Sequence, residues 1–338
     1  MERYPGGNPR TRPRALTALA PCIVIAALLL AVGASEPAHS APVQAAPEQA
    51  VRAPLAGRSL LLDAAAPDGA LLVVGQRGHI LVSGDEGETW QQADVPTRSA
   101  LTGVYFHDRE RGWAVGHDAV ILRTTDGGVT WERVHWAPEE ESPLFDVWFS
   151  DAEEGFAIGA YGSFYVTSDG GAGWVSQPLG EDDFHLHQLA RSASGRLYIA
   201  AEAGMIYRSA DGGGSWDELP SPYEGSFFGV LPLDEDALLL FGLQGHLFRS
   251  EDAGETWTAV QTGTTAMLTD GVRLGDGTVL VTGLGGVVLV SSDGGRTFAL
   301  LQQPDRRGIS SVVETPDGRL LMVGEFGVKT VSLSDLTE

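Results

Sequence analysis

The chain of 338 residues has a single cysteine, Cys22, so it cannot form a disulfide within itself. Cys22 sits in the apolar N-terminal stretch, which leaves the rest of the chain without a thiol for nucleophilic catalysis or thiolate metal binding. Positive charge is also scarce. Lys and Arg total 22 against 45 Asp and Glu, for a formal net charge of -23. Nucleic acid is recognised through Lys and Arg clustered opposite phosphates, so it is excluded as a partner. The same argument disfavours anionic lipid headgroups. No P-loop, dinucleotide fingerprint or nucleophile elbow occurs. Long apolar runs are lacking except for residues 15–34.

That one run has the layout of an export signal. Arg3, Arg10, Arg12 and Arg14 precede it, and Ala38-His39-Ser40 follows as a cleavage site of small residues. Residues 1–40 are therefore predicted to be a signal peptide, with an uncleaved anchor as the alternative. The strongly apolar part, residues 23–34, is shorter than the roughly 20 residues a spanning helix needs. Residues 41–49, rich in Ala and Pro, are predicted to be a flexible lead-in, and no direct membrane insertion of the remainder is expected.

What the chain does have is repetition. An eight-residue box recurs six times: 83–90 (SGDEGETW), 124–131 (TTDGGVTW), 167–174 (TSDGGAGW), 209–216 (SADGGGSW), 250–257 (SEDAGETW) and 291–298 (SSDGGRTF). Its aspartates Asp85, Asp126, Asp169, Asp211, Asp252 and Asp293 stand 41 to 43 residues apart. That period, filled with short alternating strands, signals a β-propeller. A second motif sits before the third strand of each repeat: 75–78 (GQRG), 159–162 (GAYG), 242–245 (GLQG), 283–286 (GLGG) and 324–327 (GEFG), with 116–119 (GHDA) and 201–204 (AEAG) as variants. These read as tight hairpin turns at which glycine supplies positive φ. Counting turns gives seven units, one more than the boxes. The expected fold is an all-β, seven-bladed propeller over residues 50–334. Its last blade lacks a fourth strand, and residues 50–54 (AVRAP) are predicted to supply it, closing the ring with both chain ends.

The boxes carry structural work. Their aspartates suit capping of their own turns, and Trp90, Trp131, Trp174, Trp216, Trp257 and Phe298 suit packing between blades. Candidate binding residues lie instead where the second-to-third-strand turns and the entries to the first strands share one end of the propeller. From the turns these are Gln76, Arg77, His117, Asp118, Tyr161, Glu202, Gln244, Glu325 and Phe326. The strand entries add Phe145, Asp146, His185, His187, Phe227, Phe228 and Asp270. His185 and His187 could share a face of a strand, but two imidazoles do not make a metal site unless Asp146 or Asp270 joins them. Neither metal nor cofactor is expected. The acidic groups at 139–141, 151–154, 181–183 and 234–236 read as solvated loops. A glycosidase would need two carboxylates held about 5 to 9 Å apart.

The boxes also occur in sialidases and other glycosidases, which usually have six blades with irregular insertions. The even spacing, the glycine turns and the seven-unit exported chain resemble more closely the photosystem II assembly-factor propellers, over about residues 50–333. The resemblance implies a non-enzymatic factor in the periplasm or thylakoid lumen that binds protein and assists assembly of a membrane complex, and the chain is expected to be a monomer. The glycoside hydrolase and a passive envelope scaffold are the alternatives. The photosynthetic members are associated with an arginine-rich binding surface, whereas Arg77, Arg98, Arg123, Arg208, Arg249 and Arg273 are scattered through this acidic chain.

Overall fold

The computed structural model describes residues 48–180 and 182–336. The predicted export signal, the lead-in up to residue 47 and Glu181 lie outside them. Short apolar strands, separated by Gly- and Asp-containing turns, pair antiparallel with their sequence neighbours and give seven sheets. Blade 1 runs Leu61–Ala65, Leu71–Gly75, Ile80–Ser83 and Gln91–Gln92, and this inner, second, third, outer order recurs in each blade. Among the described residues six sheets have four strands and the last has three. Each inner strand packs on that of the next blade, and Ile309–Glu314 of blade 7 packs on Leu61–Ala65, closing an all-β, seven-bladed propeller.

Hydrophobicity falls from the second strand outwards. Second strands such as Leu71–Gly75 and Leu238–Gly242 are buried along their whole length, because neighbouring blades cover both faces. Outer strands such as Val175–Ser176 and Asp217–Glu218 are exposed. Each blade interface holds its own apolar cluster. Trp131 of the second box packs with Leu72 and Ile80 of blade 1, and Phe298 of the sixth with Leu239 and Phe241 of blade 5. Blade 7 has no box, and there Leu336 of the turn Ser334–Leu336 joins Leu280 and Val288 of blade 6.

The boxes close alike. The Thr124 hydroxyl donates to Asp126 Oδ1 at 2.8 Å and accepts the amide of Gly128 at 3.0 Å. Asp126 in turn accepts the amide of Thr130 at 2.9 Å and its hydroxyl at 2.6 Å. Asp85, Asp211, Asp252 and Asp293 repeat the set. At Asp169 the fourth partner is Gly173, which offers only its amide. Hydrogen bonds from Thr89 and Ser215 hold the Asp85 and Asp211 carboxyls down to about 2. Gly128 has φ +87°, and a Cβ there would lie 2.5 Å from Leu72, so the tight turn and the blade contact both require glycine.

Residues 50–54 do not form the predicted outer strand of blade 7. The Ala50 amide donates to the Val95 carbonyl at 2.8 Å, and the Gln92 side chain bonds both the Ala53 amide and the Val51 carbonyl. Arg52 pairs with Asp94 at 2.7 Å. These partners fasten the segment along the outer edge of blade 1, and among the described residues blade 7 has three strands. Pro54, which has no N–H to give a ladder, closes the segment.

Candidate binding face

The turns between second and third strands are built identically. The amide of the first turn residue donates to the carbonyl that precedes the inner strand: Gln76 to Leu60, His117 to Ala100, Ala160 to Pro143, Glu202 to His185, Leu243 to Ser226, Leu284 to Met267 and Glu325 to Gly308. That approach leaves no room for a side chain. A Cβ at Gly159 would stand 2.3 Å from the Pro143 carbonyl oxygen. In six blades the middle turn residue is left-handed, with φ from 53° at Tyr161 to 66° at Gly285. The backbone thus holds Arg77, Asp118, Tyr161 and Gln244 at equivalent stations, with side chains that differ from blade to blade.

The inner strands add a second set of stations. Each carries a bulge at its second residue, where the register to the second strand slips. A bulge re-aims one side chain out of the alternating pattern. The re-aimed residues include Phe145, His187 and Phe228 in three consecutive blades. They meet the turn residues in one cluster. Tyr161 lies edge-on to His185 at 5.0 Å, Phe145 is 6.0 Å from His185 and 5.8 Å from His187, and His187 is 4.6 Å from Phe228. Tyr161 is 60% exposed, the most exposed ring of the group. Nδ1–H of His187 donates to the Phe227 carbonyl at 2.8 Å, which fixes its tautomer, and desolvation lowers its basicity. The Glu202 carboxylate accepts the His185 amide at 3.2 Å and lies 3.9 Å from its Nδ1. Phe227, one residue before the bulge, is fully buried and does not reach this face.

Asp146 and Asp270 were expected on the same rim, but each lies one residue deeper and is fully bonded. Asp146 accepts its neighbour Val147 and, across the blade boundary, Leu189, both at 2.8 Å. Asp270 does the same with Gly271 and Val312. Asp63, which sequence reasoning passed over, bonds Ala64 and Val104. Gln188 occupies the station in blade 4 and accepts Val230. The signal was present in the sequence: Asp63, Asp146 and Asp270 each stand two residues after the apolar start of an inner strand. Burial pushes Asp63 up to about 8, Asp146 to about 7 and Asp270 to about 6, with like-charge repulsion from Asp270 and Asp146 adding at Asp63 and from Asp270 at Asp146. Their amide partners oppose the shift without cancelling it. These side chains fasten one blade to the next, and neither Asp146 nor Asp270 joins His185 and His187. Among the described residues no group of three or more His, Cys, Asp or Glu is arranged to hold a metal.

The remaining predicted residues spread around the same end. Asp118 accepts the Ser99 hydroxyl at 2.5 Å, and Glu325 accepts the Gly308 amide at 2.7 Å. Phe326 packs into the cluster between blades 6 and 7. Arg77, His117 and Gln244 are exposed.

A family model described as photosynthesis system II assembly factor YCF48 matches residues 82–143 and 136–336. The photosystem II assembly lipoprotein Ycf48 of Trichormus variabilis is 39% identical over 130 residues, 38% of this chain and 38% of that protein. The chloroplastic photosystem II stability/assembly factor HCF136 of Cyanidioschyzon merolae is 39% identical over 71 residues, 19% of this chain and 16% of that protein. The matched stretches thus span well under two thirds of these curated relatives. A solved structure of YCF48 bound to D1 peptide superposes with a TM-score of 0.67 at 20% identity, covering 85% of this chain and 95% of that one. At that identity the superposition shows the shared fold.

Proposed function

The chain belongs to the photosystem II assembly factor YCF48 family, and from that premise we propose that it is an exported, non-enzymatic propeller that binds a protein segment. Through that segment it assists assembly of a membrane complex, a photosynthetic one where the cell is photosynthetic. The observation that carries the reading is the ring cluster of exposed Tyr161 with half-buried Phe145, His185, His187 and Phe228 on the turn-bearing end. Half-buried aromatics held at fixed backbone stations offer contact area at low entropic cost, which suits protein recognition. The solved relative carries a peptide of D1, which supports a peptide as the ligand class here. A non-enzymatic role is supported by the interior carboxylates, whose oxygens are taken up by backbone amides. The reading includes a monomer delivered to the periplasm or lumen by residues 1–40.

The test is capture from native membranes with the tagged, exported protein, followed by identification of what is retained. Subunits of a membrane complex that are retained by the native chain and lost with Tyr161→Ala/Phe228→Ala support the reading. Equal retention by both chains overturns the assignment of this face. Retention of no membrane protein overturns the assembly role.

A further inference from the structure

The end of the propeller that bears the turns is electrostatically divided, and the ring cluster lies in its acidic sector. The loops and turns of this end from residue 136 to residue 267 contain no Lys or Arg. They do contain Glu139, Glu140, Glu141, Asp182, Asp183, Glu202 and Glu224. Arg58, Arg77, Arg98, Arg306 and Arg307, by contrast, all belong to the loops of blades 7 and 1. The acidic loops are fastened to the ring cluster. The Ser142 hydroxyl, next to Glu141, donates to the Ala160 carbonyl at 3.0 Å, within the turn that carries Tyr161. The Gly162 amide of that turn donates to the Phe184 carbonyl at 3.0 Å. A Cβ at Gly162 would stand 3.0 Å from the Asp182 carbonyl, so the chain bearing Asp182 and Asp183 lies against the turn. Glu202 reaches the same place through the His185 amide.

We infer that this sector recognises the cationic side chain of a protein segment, an arginine or lysine seated among Tyr161, Phe145 and Phe228 with Glu202 as counter-charge. Aromatic faces attract a cation within about 6 Å of the ring centroid, and the attraction strengthens as the site dries. Tyr161 and Phe145 both flank His185, and Phe145 and Phe228 both flank His187, so the five rings form one continuous aromatic patch for the cation to rest on. His187 contributes a neutral wall, because its Nδ1 proton is committed to the Phe227 carbonyl and desolvation disfavours its charged form. The surrounding carboxylates give the approach its sign: an acidic rim attracts a basic segment and repels an acidic one. The inference rests on the protein-binding reading above and adds the chemistry of the segment.

Binding of fluorescent glycine–serine peptides that differ only in carrying arginine, lysine or glutamate tests it, read by anisotropy with the full exported chain. The arginine and lysine peptides bind, and the glutamate peptide does not. Tyr161→Ala and Glu202→Gln each weaken binding by roughly five- to thirtyfold, the range set by about 1 to 2 kcal/mol per cation–aromatic or ion contact. Tyr161→Phe, which keeps the aromatic face, retains binding. Thermal melts of each variant confirm that the propeller is intact. Binding of the glutamate peptide in place of the basic ones, with loss in Tyr161→Ala, overturns the charge assignment while leaving the protein-binding reading standing. Failure of every peptide to bind overturns the inference, and the membrane capture experiment then decides the broader reading separately.

Discussion

The two ends of the propeller use the same repeat for opposite purposes. At the box end, five turns repeat one full set of hydrogen bonds and the sixth lacks only the hydroxyl that Gly173 cannot give, so nearly every polar side chain of the motif is spent on its own turn. At the other end seven turns repeat one backbone bond, from the first turn residue to the carbonyl before the inner strand, and the side chains differ from blade to blade. Repetition of side chains marks framework. Repetition of backbone with variation of side chains marks a surface on which recognition can be written without disturbing the fold.

The largest expected effect breaks the framework. Trp113 is 1% exposed, stacks on Phe149 with ring centroids 3.5 Å apart and donates to the Gly170 carbonyl at 3.2 Å. Trp113→Ala should cost about 3 to 5 kcal/mol, read as a fall in the urea midpoint. Next comes the box itself. Thr124→Ala removes the buried hydroxyl that serves both Asp126 and the Gly128 amide, and should cost about 1 to 3 kcal/mol in the same melt. A melt unchanged by this substitution would show that the box bonds are incidental.

The interior carboxylates predict a pH dependence that sets them apart from the box aspartates. Asp63, Asp146 and Asp270 are raised to about 8, 7 and 6, so the folded chain holds protons that the unfolded chain has released. Their contribution to stability is complete below the ordinary carboxylate value and is lost as pH rises from about 4 to 8. Box carboxyls such as Asp85, held at about 2, act with the opposite sign and below that window. Urea melts at steps across pH 5 to 8 should show declining stability, and Asp146→Asn should flatten the slope. A slope unchanged in that variant would place the dependence elsewhere. The smallest stability effect belongs to the other end: Tyr161→Ala should leave the melt within about 0.5 kcal/mol, because the ring is largely in solvent.

The contrast also explains how much could be read from the sequence. The boxes and glycine turns are local chemistry with fixed spacing, so the blade count and strand order were legible. Placement of Tyr161, His185, His187 and Phe228 on one end followed from the same register. Three things were not legible. The bulge in every inner strand, which turns His187 outward and Asp146 inward, leaves no mark in an apolar–polar alternation. The pairing of Asp63, Asp146 and Asp270 with the next blade's amides depends on tertiary contact. Residues 50–54 instead follow the outer edge of blade 1, where the Gln92 side chain and the Val95 carbonyl bond their backbone.

Recognition is proposed to belong to the turn end alone. It is tested most directly by measuring capture of native membrane proteins with two matched variants. Tyr161→Ala/Phe228→Ala alters the turn end. Val129→Glu/Val175→Glu alters the box end, where both valines are about two-thirds exposed. The first variant should lose the captured complex while the second keeps it. Loss with the second and retention with the first would contradict it.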